Sequence, residues 1–382
     1  MPGCAGVCRG VPGCAGVCRG VPGRAGACRG VPGRATMTVM SQPVMAAARR
    51  PMSGTDASAH GSTGNGPAVG GVVLLSGGLG GAQLAPALAR ALGPVSLTVI
   101  VNVGDDLDWH GLRVCPDLDT VLYALGGHLD RERGWGRTGD TFTVTNALGV
   151  LGEAAWFGIG DRDLATHLVR SDLLKAGRSL TEVTMDLARR LGVRRPAVLP
   201  ASDEPCPTVL ELGDGRRIGF QEWYVGMGAV PAVRDVVFGT GAAAPAALDA
   251  LDGAAAVVFG PSNPLTSIGT ILALDGMTEA AAAVPRRIAV SPTVSAVGSP
   301  DGTITHHALA RRQLLAASGQ TDSPSGVATH YGCRHPGLVD LYLIDERDAD
   351  EAADVANAGL RPVLAPLLDA AGLAASLTEL LR

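Results

Sequence analysis

Residues 72–102 read VVLLSGGLGGAQLAPALARALGPVSLTVIVN, and this stretch decides the fold. Val72–Ser76 is a short apolar run that stops at glycines. From Ala82 to Leu92 the spacing is helical, with Leu84, Leu88 and Leu92 on one face. Leu97–Asn102 is a second apolar run of strand length. Strand, glycine turn, helix and strand make a βαβ unit, which calls for a parallel sheet. Further apolar runs of strand length lie outward, at Ala255–Phe259, Ile288–Ser291 and Val339–Asp345. Helical spacing marks Leu164–Leu174, Leu180–Leu191 and Pro245–Leu251, and Arg217–Val225 reads as strand.

The expected fold class is therefore α/β: a Rossmann-like parallel sheet flanked by helices, with an inserted, mostly helical subdomain at about 130–235. Residues 71–382 are expected to form one domain. In such sheets ligands sit at the carboxyl ends of the strands, where the unusual residue clusters of this chain fall.

Composition narrows the function. The chain has 382 residues, 46% apolar and 18% charged, which supports a sizeable core. No apolar run reaches the roughly 18 residues of a membrane-spanning helix. Aromatic residues are only 3%, which argues against a stacking platform for single-stranded nucleic acid. Residues 1–66 carry seven Arg and one acid, Asp56, a net of +6. The remainder carries 24 Lys and Arg against 35 Asp and Glu, a net of −11. Such a body repels a phosphate backbone, so no nucleic-acid partner is expected. A phosphorylated substrate would need a cation to help hold it.

The N-terminus stands apart. Residues 1–36 repeat MPGCAGVCRG, VPGCAGVCRG, VPGRAGACRG and VPGRA, and hold five of the eight cysteines. A soft-metal tract is one reading. The simpler reading is a low-complexity repeat that is not part of the working protein, with Met37, Met40, Met45 or Met52 as its start. Residues 37–70 read as a flexible lead-in. Cys115, Cys206 and Cys333 match no zinc spacing and are expected as reduced thiols of a cytoplasmic protein.

Five clusters carry the chemistry. Ser76-Gly77-Gly78-Leu79-Gly80-Gly81 opens a helix, and glycines there let backbone N–H groups approach a phosphate. A tight turn without a ligand is the alternative. Asn102-Val103-Gly104-Asp105-Asp106 offers oxygen ligands to Mg²⁺. Cys115-Pro116-Asp117-Leu118-Asp119-Thr120 reads as extended, with Asp117 and Asp119 on one side and a helix from near Thr120. Either aspartate is then a second metal ligand beside Asp105, or a helix cap. Asp140, Arg162 and His167 follow as candidates for holding a phosphate or a polar heterocycle, although a lone helical His is more often structural. Ser262, Asn263 and Ser267, in GPSNPLTSIG, make a neutral anion site directly after a strand.

Taken in order, SGGLGGA, NVGDD, HGLRVCPDLDTVLYALGG, RGWGRTGDT, WFGIGDRDLATHLVRSDLLKAG, LPASDEP, FQEWYV and GPSNPLTSIGTIL resemble the CofD/FbiA family of coenzyme F-420 biosynthesis, over about Val72 to Pro292. The resemblance implies a transferase that moves 2-phospho-L-lactate, or phosphoenolpyruvate, from a guanosine diphosphate diester to the deazariboflavin Fo, releasing GMP. It implies Mg²⁺ and a homodimer. Carried over by residue, Asp105 and Asp117 are the expected catalytic and metal residues. Gly77, Gly78, Gly80, Gly81, Asn102, Ser262, Asn263 and Ser267 fall on the donor side. Asp119 is the other candidate metal ligand, and Thr120, Asp140, Arg162 and His167 fall on the deazaflavin side. After Ser291 the sequence departs from the family pattern, which opens the reading of an altered donor preference or an inactive relative.

Two rivals carry less. A non-catalytic nucleotide-sugar-binding regulator of the YvcK-like group would show Asp-Asp-Gly-Gly-Ser, but Asp106 is followed by Leu107-Asp108-Trp109-His110. An NAD-dependent dehydrogenase needs a third glycine where Gln83 stands. Deleting residues 1–36 should leave enzymatic turnover unchanged. A truncated protein that loses activity would show that the repeat works.

Overall fold

The computed structural model describes residues 70–294 and 305–382; the repeat at 1–36, nearly all of the lead-in, and most of the divergent stretch after Ser291 lie outside them. The chain starts its sheet with β1 (Gly71–Ser76), then α1 (Leu79–Leu92) and β2 (Leu97–Val101). A hairpin of β3 (Leu107–Trp109) and β4 (Leu112–Val114) precedes α2 (Pro116–Gly126). Next come α3 (Thr143–Val150), α4 (Asp161–Lys175), α5 (Leu180–Arg190) and β5 (Ala197–Pro200). β6 (Val209–Leu212), β7 (Arg217–Gly219) and β8 (Val233–Val237) form a small antiparallel sheet, order β7-β6-β8. α6 (Pro245–Asp252), β9 (Ala254–Phe259), α7 (Thr270–Leu272), α8 (Met277–Ala283) and β10 (Arg286–Val290) return to the main sheet. α9 (His306–Ala317), α10 (Pro324–Arg334), β11 (Leu341–Asp345), α11 (Ala352–Asn357), β12 (Arg361–Ala365) and α12 (Ala370–Leu380) complete the chain.

The main sheet has seven strands, all parallel, in the order β12-β11-β10-β9-β1-β2-β5. β1 lies inside it, so both its faces are covered. Val73 and Leu75 point into one core, and Val72 and Leu74 into the other. That period of two explains why the strand reads as an unbroken apolar run. Each buried Leu contributes about 1.5–3 kcal/mol relative to exposure. The chain winds from β1 through β2 to β5 on one side, then from β9 through β10 and β11 to β12 on the other. The loops after β1 and β9 therefore leave in opposite directions and open a crevice between them.

The expected insertion at 130–235 is divided. β5 pairs in register with β2, from Thr98↔Ala197 to Val101↔Pro200, and so belongs to the main sheet. The rest carries α3, α4 and α5, and beside these helices β6–β8 form their own small sheet. Arg217–Val225 is strand only to Gly219; Glu222–Gly226 is a π-helical turn. Trp223 explains the switch: it is fully buried and its Nε1–H donates to the Pro231 carbonyl at 2.8 Å. The three described cysteines are unpaired thiols.

Glycine has a steric purpose in the first loop. A Cβ on Gly80 would lie 2.1 Å from the Pro261 carbonyl oxygen, and neither backbone can yield cheaply. Gly80→Ala should cost about 1–3 kcal/mol by overpacking. Gly219→Ala, where a Cβ meets nothing within 4 Å, should change little. Thermal unfolding of the two variants checks the pair.

Candidate active site

Three loops interlock at the crevice. The Gly77 N–H donates to Ser262 Oγ at 2.9 Å, tying the loop after β1 to the loop after β9. The Cβ directions of Gly77 and Gly78 face Ser267 and Asp117, so the glycines make room for protein on that side. Asn102, at the end of β2, holds the third loop. Its Oδ1 accepts from the Gly104 N–H at 2.9 Å. Its Nδ2 donates to Asp117 Oδ2 at 2.9 Å and to the Thr266 carbonyl at 3.1 Å. Asn263 caps the π-helical turn Pro264–Gly269, accepting from the Leu265 and Thr266 N–H groups at 3.0 and 3.2 Å. Asn102 and Asn263 thus shape the site with the same polar atoms that the sequence offers to a ligand.

Asp105 and Asp117 are brought together. Asp105 is buried, and its Oδ1 has no hydrogen-bond partner. Burial holds its carboxyl well above the usual range, with Asp117 and then Asp106 pushing the same way and Asn102 opposing. Burial also raises Asp117 to about 6, against hydrogen bonds from Asn102 and the Gly78 backbone. Asp106 rises to about 7 by burial although Arg113 lies 3.1 Å away, because one exposed-edge guanidinium does not replace a full hydration shell. Its Oδ1 is also unpartnered. Neighbouring buried carboxylates with an orphaned oxygen fit a hard divalent cation, which takes oxygen ligands and keeps several waters.

Asp119 does not join them. Pro116 starts α2, so Asp117 and Asp119 lie on a helix rather than on an extended segment. At about 100° per residue, positions two apart diverge by roughly 200°. Asp119 pairs with the buried Arg170, whose Nη1 lies 3.0 Å from Oδ2. His167 lies between Asp119, at 3.6 Å, and Asp163, at 3.4 Å. Tyr123 Oη approaches Asp163 Oδ1 at 2.6 Å. Among the described residues, Asp119, Asp163 and His167 are the one trio whose ligating atoms lie mutually within 4.8 Å, yet Arg170 already supplies positive charge there.

The helix also starts before Thr120, whose hydroxyl donates back to the Pro116 carbonyl at 2.7 Å. Asp140 is a structural clasp: it accepts from the Arg162 and Arg137 N–H groups at 2.6 and 3.0 Å. The Arg162 guanidinium donates to the Thr138 carbonyl at 2.7 Å. No hydrogen bond or ion pair joins Thr120, Asp140, Arg162 or His167 to Asp105 or Asp117 among the described residues.

The sequence reading missed the cavity beside Asp105 and Asp106. It measures about 250 Å³, with Trp109, Trp156 and Phe220 on its walls and Thr208 and Glu222 among its polar groups. Trp109 and Trp156 meet edge to face at 4.7 Å. Phe220, Tyr224 and His306 continue as a near-parallel stack, with centroids 5.3 and 4.3 Å apart. Scarce aromatics converging from distant segments were the signal, but spacing along the chain does not reveal convergence.

Comparison with known proteins identifies the family. A family model described as 2-phospho-L-lactate transferase CofD matches residues 72–371. A Streptomyces griseus protein named phosphoenolpyruvate transferase is 43% identical over 308 residues, covering 78% of this chain and 92% of its own. A Thermobifida fusca protein of the same name is 44% identical over 296 residues, covering 73% and 87%. A crystal structure from Bacillus halodurans, of a upf0052 family member, superposes with a TM-score of 0.54 at 18% identity, over 82% of this chain and 99% of that one. That last likeness bears on the fold alone. With a family match across most of its length and relatives above 40% identity, this chain belongs to the CofD family.

Proposed function

We propose that the protein transfers a phosphoenolpyruvyl group from a guanosine diphosphate diester to the deazariboflavin Fo, releasing GMP, in coenzyme F-420 biosynthesis. The observation that carries this is the pairing of buried Asp105 with half-buried Asp117 at the crevice, next to an aromatic-walled cavity. The names of the relatives favour phosphoenolpyruvate over 2-phospho-L-lactate. In the reaction a terminal ribityl hydroxyl oxygen bonds to the distal phosphorus, and the bond from that phosphorus to the bridging oxygen of GMP breaks.

Each part of the site then has a task. Backbone N–H groups at the start of α1, with Ser262 and Ser267, face the diphosphate. Trp109, Trp156 and Phe220 offer flat apolar surface to the deazaflavin ring, which places its ribityl chain toward Asp105. Asp105 and Asp117 would hold Mg²⁺, with Asn102 fixing the Asp117 carboxylate. The ion, when bound, neutralises charge on the phosphoryl oxygens. His167 bridges α2 and α4, Asp140 and Arg162 fasten the 137–140 loop to α4, and Thr120 bonds back within α2, so these four support the site whether or not they also contact the deazaflavin. A homodimer and a cytoplasmic setting belong to the same proposal; no helix among the described residues is long and apolar enough to cross a membrane.

Asp105→Asn keeps the shape and removes the charge. Transfer should fall at least about a hundredfold, while the melting temperature holds or rises because a buried charge is gone. Unchanged turnover in Mg²⁺ would remove Asp105 from the mechanism. Mass spectrometry of the product tests the donor. Given both guanosine diesters in parallel, the protein should yield the product lighter by two hydrogens, the enolpyruvyl form. The heavier product alone would establish phospholactate transfer instead.

A further inference from the structure

A second cavity, of about 240 Å³, lies away from the acidic pair. Phe238, Leu265 and Leu272 give it an apolar wall, and the end of α10 contributes His330, Arg334 and His335. Leu265 belongs to the same π-helical turn that carries Thr266 to Asn102 and Ser267 to Gly77.

His330 is the anomaly. It is 5% exposed, and neither ring nitrogen has a hydrogen-bond partner among the described residues; Nδ1 is fully shielded. Leaving a buried polar group unpartnered is costly, and because Nδ1 is shielded from the cavity too, Nε2 is the ring atom open to an occupant. Burial, then His335 and Arg334, lower its pKa to about 4, so near neutral pH it is an uncharged ring with one N–H donor. The His335 ring is 6.4 Å away, centroid to centroid. Arg334 makes no ion pair among the described residues. Asp235 also lines the cavity, and its Oδ1 accepts the Val236 N–H at 2.8 Å.

We propose that this cavity binds a small carboxylate with a flat apolar body, its carboxylate on Arg334 and His330 and its body against Phe238, Leu265 and Leu272. The alternatives fit less well. A cation meets Arg334 unfavourably. A purely apolar molecule leaves His330 unpartnered. Inorganic phosphate has no surface to match the apolar wall. The volume lies below the roughly 300–1,000 Å³ of sites for drug-sized molecules, which limits the occupant to about one ring. An occupant would touch the turn that shapes the donor loop, so the site is placed to influence transfer from outside the catalytic centre.

Benzoate is the probe. Titrated calorimetrically into the full chain, it should bind saturably with one site per chain. Arg334 is exposed, so Arg334→Gln keeps the fold and carries the test by itself, with an unchanged melting temperature as control. Its affinity for benzoate should fall about tenfold or more, because a charge-assisted hydrogen bond is lost. His330→Gln should weaken binding as well. Absence of saturable binding, equal affinity in R334Q, or displacement of benzoate by inorganic phosphate at equal concentration would each overturn the proposal.

Discussion

Asn102 ties the molecule together. One side chain at the end of β2 accepts from Gly104, donates to Asp117 at the start of α2, and donates to the Thr266 carbonyl after β9. Those partners come from both halves of the sheet, which wind in opposite directions. Every polar atom of a fully buried amide is used, so the arrangement admits little variation. The glycines of the first loop answer the same constraint. Their missing side chains let Pro261, Ser267 and Asp117 close to backbone distance.

Such closeness has an electrostatic consequence. Buried Asp105 and half-buried Asp117 lie beside each other without a cation among the described side chains to balance them, and both carboxyls rise above their usual range. Elsewhere the fold does balance a buried acid: Asp119 has Arg170, whereas Arg113 offsets the burial of Asp106 only in part. The contrast separates two kinds of aspartate in one short stretch. Asp119 serves the packing of α2 on α4, where loss of one partner strands the other charge. Asp105 and Asp117 keep oxygen atoms and negative charge available to a substrate or ion.

The proposed function therefore rests on unequal compensation rather than on the number of acids. Under the proposed function, a body with a net charge of −11 beyond residue 66 has to accept a phosphorylated donor. Backbone N–H groups at the crevice are neutral and fixed by the fold, so they add attraction without adding a side-chain charge. Aromatic residues, scarce along the chain, are concentrated beside this acidic centre, where the proposed planar acceptor would lie.

The sequence by itself determined the parallel sheet and the family. Hydrophobic period is local, and VVLLS followed by glycines and a leucine-spaced helix admits few other readings. It also named Asp105, Asp117 and Ser262 as neighbours in chemistry, because each follows a strand end. Only the tertiary structure decided which aspartate is engaged elsewhere. Pro116 turned an apparently extended segment into a helix, and Arg170, 51 residues beyond Asp119, claimed one acid and left the other to Asn102 beside Asp105. The aromatic walls were decided at the same level. Charge pairing and ring contacts act through space between segments far apart in the chain, and no spacing along the chain encodes them.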